Sequence, residues 1–314
     1  MGTHVAVVGN GRIGRPTAYS LLIEGLMDEL SLVDTKPGLA WAFGEELKHG
    51  AASLNLDVEI NTYEVDEGVC GADLVVVCPG KPRAPGVQMD RRDLATQNAE
   101  TINHVAEVMP PRNPGAKWII VTNPVDAMAT LFKRVSGESF VISTGDCPDT
   151  LRFRAKLNMD LGVPVSLVEG YVGGEHGAAA YPLWSTTKIM GTPLDEYLKT
   201  SGRRLDREGV TAYVRGISKQ LVDTIGATEF GPAAGFRGIV GAVLRDSGEM
   251  FSVADSVKFP DLPEAVHVSI PTHVGEKLGP SIWEKLLAEE QASIRSAAEA
   301  IYMNYRLAWE SLDR

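Results

Sequence analysis

The sequence predicts an α/β protein: a doubly wound parallel sheet in the first half, followed by a mixed α+β domain. Two observations carry this prediction. Apolar strand-like runs alternate with helical patterns through residues 1–145, which is typical of a parallel sheet with helices on both faces. Beyond that point the pattern changes to long helices and alternating strands of antiparallel type. We therefore divide the chain into residues 1–145 and residues 146–314.

The first element is an apolar strand that runs straight into a glycine-rich loop. Val5–Val8 is followed by Gly9–Gly14, which reads G-N-G-R-I-G, by a helical pattern, and by a second strand that ends at Asp34. In such a loop the first glycine allows a tight turn, the second lets the backbone approach a pyrophosphate, and the third lets helix and strand pack closely. The helix N-terminus attracts phosphates, and Asp34 is placed to bind a ribose hydroxyl. The stretch favours dinucleotide binding over the alternative, which is an ordinary turn between a strand and a helix.

The remaining elements of the first half follow from their periodicity. Apolar stripes predict helices around residues 18–25, 41–47 and 93–108. Short strands are expected at Val58–Thr62, Leu74–Val77, Trp118–Val121 and Phe140–Ile142. Leu74–Val77 is an uninterrupted apolar run, as expected for a parallel strand that is covered on both faces.

The second half carries longer helices and fewer apolar runs. Helices are expected over Asp149–Leu161, Arg203–Ile225, Ala234–Arg245 and Ser281–Trp309, and strands over Val165–Val172, Phe251–Lys258 and Ala265–Val274. Since no flexible linker separates the halves, we expect two domains joined across a broad interface. Ligand sites favour such interfaces and the carboxyl ends of parallel strands.

Composition and charge disfavour several classes of partner. The net charge of −11 repels nucleic acid and anionic membranes, so a small anionic substrate would need a local cluster of arginines. The cysteines Cys70, Cys78 and Cys147 have no zinc spacing, and the histidines have no metal-ligand spacing, so we expect no metal. No apolar run reaches the ~20 residues that cross a bilayer, and no signal peptide fits. We expect a cytoplasmic protein.

An arginine-rich segment follows the strand Leu74–Val77. It spans Pro79–Leu94, is rich in proline and glycine, and carries Arg83, Arg91 and Arg92. It is either a solvated surface loop or a lid that delivers arginines to an anionic substrate when it closes.

Three further segments have polar residues in places where chemistry is plausible. Asn123 follows a central strand and either binds cofactor and substrate or forms an Asn-Pro turn. Asp149 and Arg152 share a helix face, as a surface ion pair or as part of a site. His176 lies between glycines, which allow a ligand to approach closely, although most isolated histidines are structural.

Taken in order, these segments resemble the lactate/malate dehydrogenase family. The matching pieces are Gly9–Gly14, Asp34, Pro82–Asn98, Thr122–Pro124, Asp149–Arg154 and Gly174–Gly177. Gly226–Ala233 and Leu244–Gly248 match its malate-type members. The resemblance covers nearly the whole chain, and the combination of motifs is specific although no single motif is. It implies a Rossmann dinucleotide-binding domain at residues 1–145 and a substrate/catalytic domain at residues 146–314.

The resemblance implies a catalytic or substrate-binding role for each matching polar residue. His176 would protonate the substrate carbonyl oxygen as hydride arrives, and remove that proton in the oxidative direction. Asp149 would hold the other ring nitrogen, and Arg152 would bind the substrate C1 carboxylate with two hydrogen bonds. Arg91 would polarise the reacting carbonyl once the lid shuts, and Asn123 would orient substrate and nicotinamide.

The cofactor positions implied by the resemblance lie mostly in the first domain. They are Gly9, Gly11, Arg12, Ile13, Gly14, Asp34, Gly80, Asn98, Val121 and Asn123. Asp34 would repel a 2′-phosphate, so NAD is the expected cofactor. Lys36 could partly offset that repulsion, which leaves NADP as a second choice.

Position 83 distinguishes the substrates within the family. A lactate enzyme places a neutral residue there, whereas Arg83 would meet the second carboxylate of oxaloacetate and would be left unpaired by pyruvate. We therefore expect malate and oxaloacetate as substrates. The alternatives are lactate or another L-2-hydroxyacid such as sulfolactate, an inactive dinucleotide-binding protein, and a Rossmann-containing glycosidase relative, which would need metal ligands.

Two further expectations concern the lid and the assembly. The segment between Gly86 and Arg91 is longer than usual, so either Arg91 or Arg92 could reach the carbonyl, and Arg91 is preferred because Arg-x-Asp-Leu fits. We expect a homotetramer built from dimers, with a dimer as the alternative.

Overall fold

The computed structural model describes residues 2–81 and 91–312, with the side chains of residues 91 and 92 left outside the description. The first half alternates strands and helices, as predicted. Its strands are β1 (His4–Val8), β2 (Glu29–Val33), β3 (Glu59–Tyr63), β4 (Leu74–Val77), β5 (Lys117–Ile120) and β6 (Val141–Ser143). Its helices are α1 (Gly14–Glu24), α2 (Leu39–Leu54), α3 (Arg91–Val108) and α4 (Val125–Ser136).

The second half carries five helices and several short strands in the described residues. The helices are α5 (Cys147–Leu161), α6 (Leu194–Ser201), α7 (Arg207–Ile225), α8 (Phe230–Arg245) and α9 (Ala288–Glu310). The strands are β7 (Val168–Glu169), β8 (Val172–Gly173), β9 (Tyr181–Pro182), β10 (Lys188–Ile189), β11 (Thr192–Pro193), β12 (Glu249–Phe251), β13 (Ala254–Val257), β14 (Val266–Ser269), β15 (Thr272–Val274) and β16 (Leu278–Ser281).

One large sheet organises the molecule. Its strand order is β14-β13-β6-β5-β4-β1-β2-β3, and β1 to β6 are parallel. The hairpin β13–β14 comes from the second half of the chain and adds two antiparallel strands beside β6. The predicted Rossmann-type sheet with a following α/β region is therefore confirmed. Because the sheet crosses residue 145, the division into residues 1–145 and 146–314 stays a prediction.

Both faces of the sheet are covered, as the uninterrupted apolar strands predict. Val5 and Val7 of β1 pack in a core with α1, α2 and α8, whereas Ala6 and Val8 pack on the other face with α3, α4 and α9. All four side chains are at most 2% exposed. The alternation of a strand therefore buries every β1 residue, which is the environment that selects continuous aliphatic runs.

Several predicted bounds in the second half are wrong. The last helix begins at Ala288 rather than Ser281, because Ser281 ends β16 and the Glu290 carboxylate accepts the Leu287 N–H at 3.1 Å, fixing the first turn. The helix predicted from Arg203 begins at Arg207, where the Asp206 side chain caps it.

The predicted strand Val165–Val172 is likewise replaced by shorter elements. Residues 165–167 form a 3₁₀ turn, and the two-residue strands β7 and β8 follow it. Within the described residues, no helix is both long and apolar enough to pass through a membrane.

Candidate active site

The candidate site lies at the carboxyl edge of the parallel sheet. Because β1, β2, β4, β5 and β6 run in the same direction, the segments that leave them meet at one edge. Those segments carry the glycine loop, Asp34, Gly80, Asn123 and Asp146. In open α/β sheets, ligands bind at this edge.

The three glycines of the first loop have different surroundings. Gly9 has a φ of +86°, and a Cβ there would lie 2.6 Å from the Pro79 nitrogen. A Cβ on Gly14 would lie 1.8 Å from the Gly9 oxygen, so the packing of the protein itself requires both glycines. A Cβ on Gly11 would meet no described atom within 4 Å. The open space at Gly11 lets a ligand approach the protein backbone, and within the described residues no side chain caps the N-terminus of α1.

Asp34 is held rigidly beside this loop. Its Oδ2 accepts the Asn10 N–H at 2.7 Å, and its Oδ1 accepts the Lys36 N–H at 2.9 Å. The Asn10 side chain donates to the Val33 carbonyl at 2.8 Å, which ties the loop to the end of β2. The carboxylate therefore sits at the end of β2, as the sequence predicts, with both oxygens oriented by backbone donors.

Asn98 connects the segments that follow β4 and β5. Its side-chain oxygen accepts the Lys81 N–H at 2.8 Å, and its amide nitrogen donates to the Asn123 carbonyl at 2.7 Å. A Cβ on Gly80 would lie 2.9 Å from a methyl carbon of Thr122, so the two segments touch. The family resemblance implies that Asn98 lies along the cofactor, but it did not reveal that this side chain joins the two segments.

Two of the predicted cofactor positions, Val121 and Asn123, follow β5 and differ in exposure. Val121 is 8% exposed and belongs to the core on the α1 face of the sheet, whereas Asn123 is exposed. The Asn123–Pro124 peptide bond is cis. The Asn123 side chain is thus accessible at the sheet edge.

His176, Asp149 and Arg152 are brought together, as the resemblance implies. His176 Nδ1 lies 2.5 Å from Asp149 Oδ2, and Arg152 donates to Asp149 Oδ1 at 2.6 Å. Asp149 is 1% exposed, while the side chains of Arg152 and His176 are 14% and 21% exposed. Burial raises the pKa of the Asp149 carboxyl, but His176 and Arg152 outweigh burial and hold that pKa below its ordinary value. Asp149 therefore stays ionised between two cationic or cation-forming groups.

The histidine loop is fixed from two sides. Gly174, at a φ of +112°, exchanges backbone hydrogen bonds of 2.9 Å with Ser269 of β14. The His176 N–H donates to Asp126 Oδ2 at 3.0 Å, and Ser143 donates to Asp126 Oδ1 at 2.6 Å. Burial raises the pKa of Asp126 to about 6, even though both donors favour its ionised form. The sequence motif ending in Asp126 gave no sign of this second carboxylate behind the histidine.

A further carboxyl group, Asp146, was missed by the sequence reasoning. Ligand-type atoms of Asp146, Asp149 and His176 all lie within 4.8 Å of one another. Asp146 is fully buried, and burial followed by the Asp149 carboxylate raises its pKa well above the ordinary range. Its spacing of three residues before Asp149 was the available signal. The expectation of no metal stays a prediction.

The lid arginines lie outside the described part. Arg83 belongs to residues 82–90, which the structure does not describe, and the side chain of Arg91 is also outside it, although the backbone of Arg91 begins α3. Their roles remain predictions from the sequence.

Both halves of the chain match models of one known protein family. Residues 3–140 match the model of the lactate/malate dehydrogenase NAD binding domain, and residues 148–306 match that of the lactate/malate dehydrogenase alpha/beta C-terminal domain. The chain belongs to the lactate/malate dehydrogenase family. It is an NAD-dependent oxidoreductase of that family, and the open backbone at Gly11 and the fixed carboxylate of Asp34 fit the cofactor.

Individual relatives carry both names of the family. A malate dehydrogenase of Sulfolobus acidocaldarius is 37% identical over 99% of this chain and 98% of its own length. One from Sulfurisphaera tokodaii is 38% identical over 97% of this chain and 96% of its own length. An L-lactate dehydrogenase of Thermus aquaticus is 32% identical over 95% of this chain and 96% of its own length.

A solved structure gives the same picture of the fold. The crystal structure of a minor L-lactate dehydrogenase from Enterococcus mundtii matches with a TM-score of 0.88 and 26% identity, covering 97% of this chain and 98% of the other.

Proposed function

We propose that this family member interconverts (S)-malate and oxaloacetate. The observation that carries the chemistry is the connection of His176 and Arg152 through the buried Asp149 carboxylate, with contacts of 2.5 Å and 2.6 Å. It joins a proton-exchanging ring to a carboxylate-binding cation at the edge where the cofactor domain ends. Bound there, the nicotinamide of NAD supplies or accepts the hydride.

His176 is assigned the proton transfer. Its Nδ1 is engaged by Asp149, so the exchange with the substrate oxygen is assigned to Nε2. In malate oxidation the ring accepts the hydroxyl proton, and the Asp149 carboxylate stabilises the imidazolium that forms. In the reductive direction the imidazolium returns this proton to the carbonyl oxygen. Asp149 keeps its charge throughout, because His176 and Arg152 both favour the ionised carboxylate.

Arg152 is assigned the substrate C1 carboxylate. A guanidinium has five N–H donors in a fixed planar arrangement, and only one bond to Asp149 is needed to orient it. Since the Arg152 side chain is only 14% exposed, its attraction for a carboxylate is screened less by water than at the surface. The same residue thus positions the substrate next to the ring that exchanges its proton.

The choice of a dicarboxylate rests on Arg83 and on the relatives. Arg83 would pair with the distal carboxylate when the lid closes, and Arg91 would polarise the reacting carbonyl. The two relatives from Sulfolobus and Sulfurisphaera are named malate dehydrogenases, which supports this proposal. The second candidate is lactate dehydrogenase, favoured by the relative from Thermus aquaticus.

A two-by-two assay tests substrate and cofactor together. Oxaloacetate or pyruvate is combined with NADH or NADPH, and the loss of reduced cofactor is followed by its absorbance. We expect oxaloacetate with NADH to give the highest kcat/KM. A preference for pyruvate would replace the proposal by lactate dehydrogenase, and no turnover with any 2-oxo acid despite NADH binding would favour an inactive binding protein.

The variant Arg83→Gln tests the determinant of this preference. We expect it to lower kcat/KM for oxaloacetate and to narrow the ratio to pyruvate, because the distal carboxylate loses its partner. Arg112→Gln is a matched control, since Arg112 is an exposed arginine that precedes β5, at the opposite edge of the sheet. An unchanged substrate ratio in Arg83→Gln would contradict the role of Arg83.

The preference for NAD over NADP is proposed from Asp34. Its carboxylate would accept hydrogen bonds from a ribose diol and repel a 2′-phosphate, while Lys36 would soften that repulsion. We expect NADPH to be a weaker substrate than NADH, and Asp34→Ser to reduce the difference in kcat/KM between the two cofactors.

A homotetrameric assembly and a cytoplasmic location remain proposals from the sequence. Light scattering would test the assembly, and cell fractionation would test the location.

A further inference from the structure

Asp146 occupies the N-cap position of α5 without capping the helix. An N-cap aspartate usually accepts an N–H from the second or third helical residue. Here the second residue is Pro148, which has no N–H, and the Asp146 side chain makes no capping bond. Neither carboxyl oxygen accepts a hydrogen bond from any donor in the described part of the chain, although Asp146 is 0% exposed.

The backbone at Asp146 is held in place by Ser269 of β14. The Asp146 N–H donates to Ser269 Oγ at 2.9 Å. The preceding Gly145 has a φ of +47°, and a Cβ there would lie 2.2 Å from the same Ser269 oxygen. This arrangement leaves the carboxyl in the cluster with Asp149 and His176, where ligand-type atoms of the three residues lie within 4.8 Å of one another.

The charges that face Asp146 are mostly negative. Asp149 comes from α5, Asp126 comes from α4, and Glu175 and His176 come from the loop after β8. Burial is the largest effect on the Asp146 carboxyl, and Asp149, Asp126 and Glu175 add to it, so that its pKa is raised well above the usual range. The nearby cation Arg152, also on α5, donates to Asp149 Oδ1 at 2.6 Å.

We propose that Asp146 is a positioning residue: a neutral carboxylic acid whose O–H donates to the Asp149 carboxylate, extending the His176–Asp149 pair to a chain of three groups. This inference rests on the proposed function for its catalytic consequence. A neutral carboxyl is both a donor and an acceptor, whereas an ionised one only accepts. When Asp146 is protonated, its buried carboxyl group gains a hydrogen-bond partner in the Asp149 carboxylate. The protonation also avoids two negative charges side by side in a buried site.

The bond would adjust how strongly Asp149 holds a proton on His176. A donor to Asp149 spreads its negative charge, which weakens its attraction for the imidazolium. The ring would then both release and accept the substrate proton within the same pH range. Without that donor, Asp149 would favour protonated His176, helping carbonyl reduction at high pH and suppressing malate oxidation at low pH.

Two neutral variants with the same branched side-chain skeleton separate hydrogen bonding from packing. Asp146→Asn keeps an N–H donor, whereas Asp146→Leu has no donor. The titration of His176 is followed by NMR on histidine-labelled full-length protein, with the signal assigned by its loss in His176→Gln. We expect Asp146→Leu to raise the midpoint of the His176 titration by about one pH unit, and Asp146→Asn to stay close to wild type.

An infrared measurement tests the protonation state itself. In the difference spectrum between wild type and Asp146→Asn at pH 7, we expect the wild type to carry the carbonyl stretch of a protonated carboxyl. A carboxylate band in its place would overturn the proposal. This comparison needs only the conservative variant, and so it decides the question even if circular dichroism finds Asp146→Leu unfolded.

The kinetic readout separates this proposal from the proposed function. We expect the acidic limb of malate oxidation and the alkaline limb of oxaloacetate reduction to shift upward together in Asp146→Leu. A merely structural role would lower kcat without moving either limb. If wild type turns over no substrate, the proposed function fails, but the two spectroscopic tests still apply to Asp146. If His176 titrates alike in Asp146→Leu and wild type, the proposal for Asp146 fails whatever the activity.

Discussion

Two histidines on neighbouring segments have opposite environments. His267 of β14 is completely buried, with Nε2 lying 3.0 Å from the Val141 carbonyl and Nδ1 lying 3.3 Å from the Thr130 hydroxyl. His176, in the loop tied to the same β14, has a carboxylate on Nδ1 and retains 21% exposure. Burial lowers the pKa of His267 to about 3, whereas the carboxyl group beside His176, Asp149, has a pKa held below its ordinary value by His176 and Arg152. A buried histidine next to neutral partners is structural, and one next to a carboxylate can exchange protons.

The strongest test of this contrast is the pH dependence of stability at His267. Its folded-state pKa of about 3 lies below the ordinary value of 6.5, so the unfolded chain binds the extra proton. The stability it contributes is complete above pH 6.5 and is lost as the pH falls toward 3, by up to about 5 kcal/mol. We expect the difference in free energy of unfolding between wild type and His267→Gln, from urea titrations, to follow this curve. If this difference in the free energy of unfolding did not change with pH, folding would not lower the pKa of His267, and the prediction would be wrong.

The next largest effect is on catalysis at His176. His176→Asn should lower kcat by about a thousandfold, which corresponds to roughly 4 kcal/mol in the activation free energy. The free energy of unfolding should change far less, because the ring is partly exposed. His267→Gln, assayed at pH 7, is the matched control and should retain its kcat. Equal losses of kcat in the two variants would remove the distinction between the two histidines.

Asp126 should give a pH dependence of the opposite sign. Its folded-state pKa of about 6 lies above the ordinary 3.8, so its contribution to stability is present below about pH 3.8 and is lost as the pH rises through 6. The loss amounts to about 3 kcal/mol. Between pH 4 and pH 6 the stability lost at Asp126 as the pH rises offsets the stability gained at His267. The free energy of unfolding of the wild type should therefore change less with pH than that of Asp126→Asn or His267→Gln. Urea titrations of Asp126→Asn between pH 4 and pH 7 measure it, and a variant curve parallel to wild type would contradict it.

The smallest expected effect concerns the hydroxyl that holds His267. Thr130 accepts the His267 N–H at 2.9 Å, so Thr130→Val leaves a buried donor without its partner. We expect a loss of about 2 kcal/mol in the free energy of unfolding, with unchanged kcat. Thr200→Val is a suitable control, because Thr200 is exposed on α6 and, in the part of the chain that the structure describes, its hydroxyl bonds to carbonyls of its own helix.

The sequence predicts the first half of the molecule better than the second. Runs such as Leu74–Val77 are apolar because both faces of the strand are covered, and this local signal survives without knowledge of neighbours. The start of α9 depends on Glu290, which also binds the distant Ser185, so no local pattern reveals it. In the first half, the helix α4, which directly follows the Asn-Pro motif, was not predicted.

The candidate site divides in the same way. Gly9, Gly14 and Asp34 are recognisable because the backbone itself requires them at fixed spacing. The pairing of Asp149 with His176 joins segments 27 residues apart and could be inferred only through a family resemblance. Asp146 has no motif of its own, because its importance comes from burial and from the absence of a capping bond.

The hairpin that completes the large sheet sets an order of events during protein synthesis. β6 ends at Ser143, but its neighbour β13 begins only at Ala254, so the edge of β6 stays open until most of the chain has left the ribosome. An open edge can pair with another chain, and closing so long a loop costs entropy. Ser269, at the end of this late hairpin, holds both the Gly174 backbone and the Asp146 N–H. The large sheet therefore gains its last two strands, and the loop carrying His176 gains its anchor on β14, in the same late step.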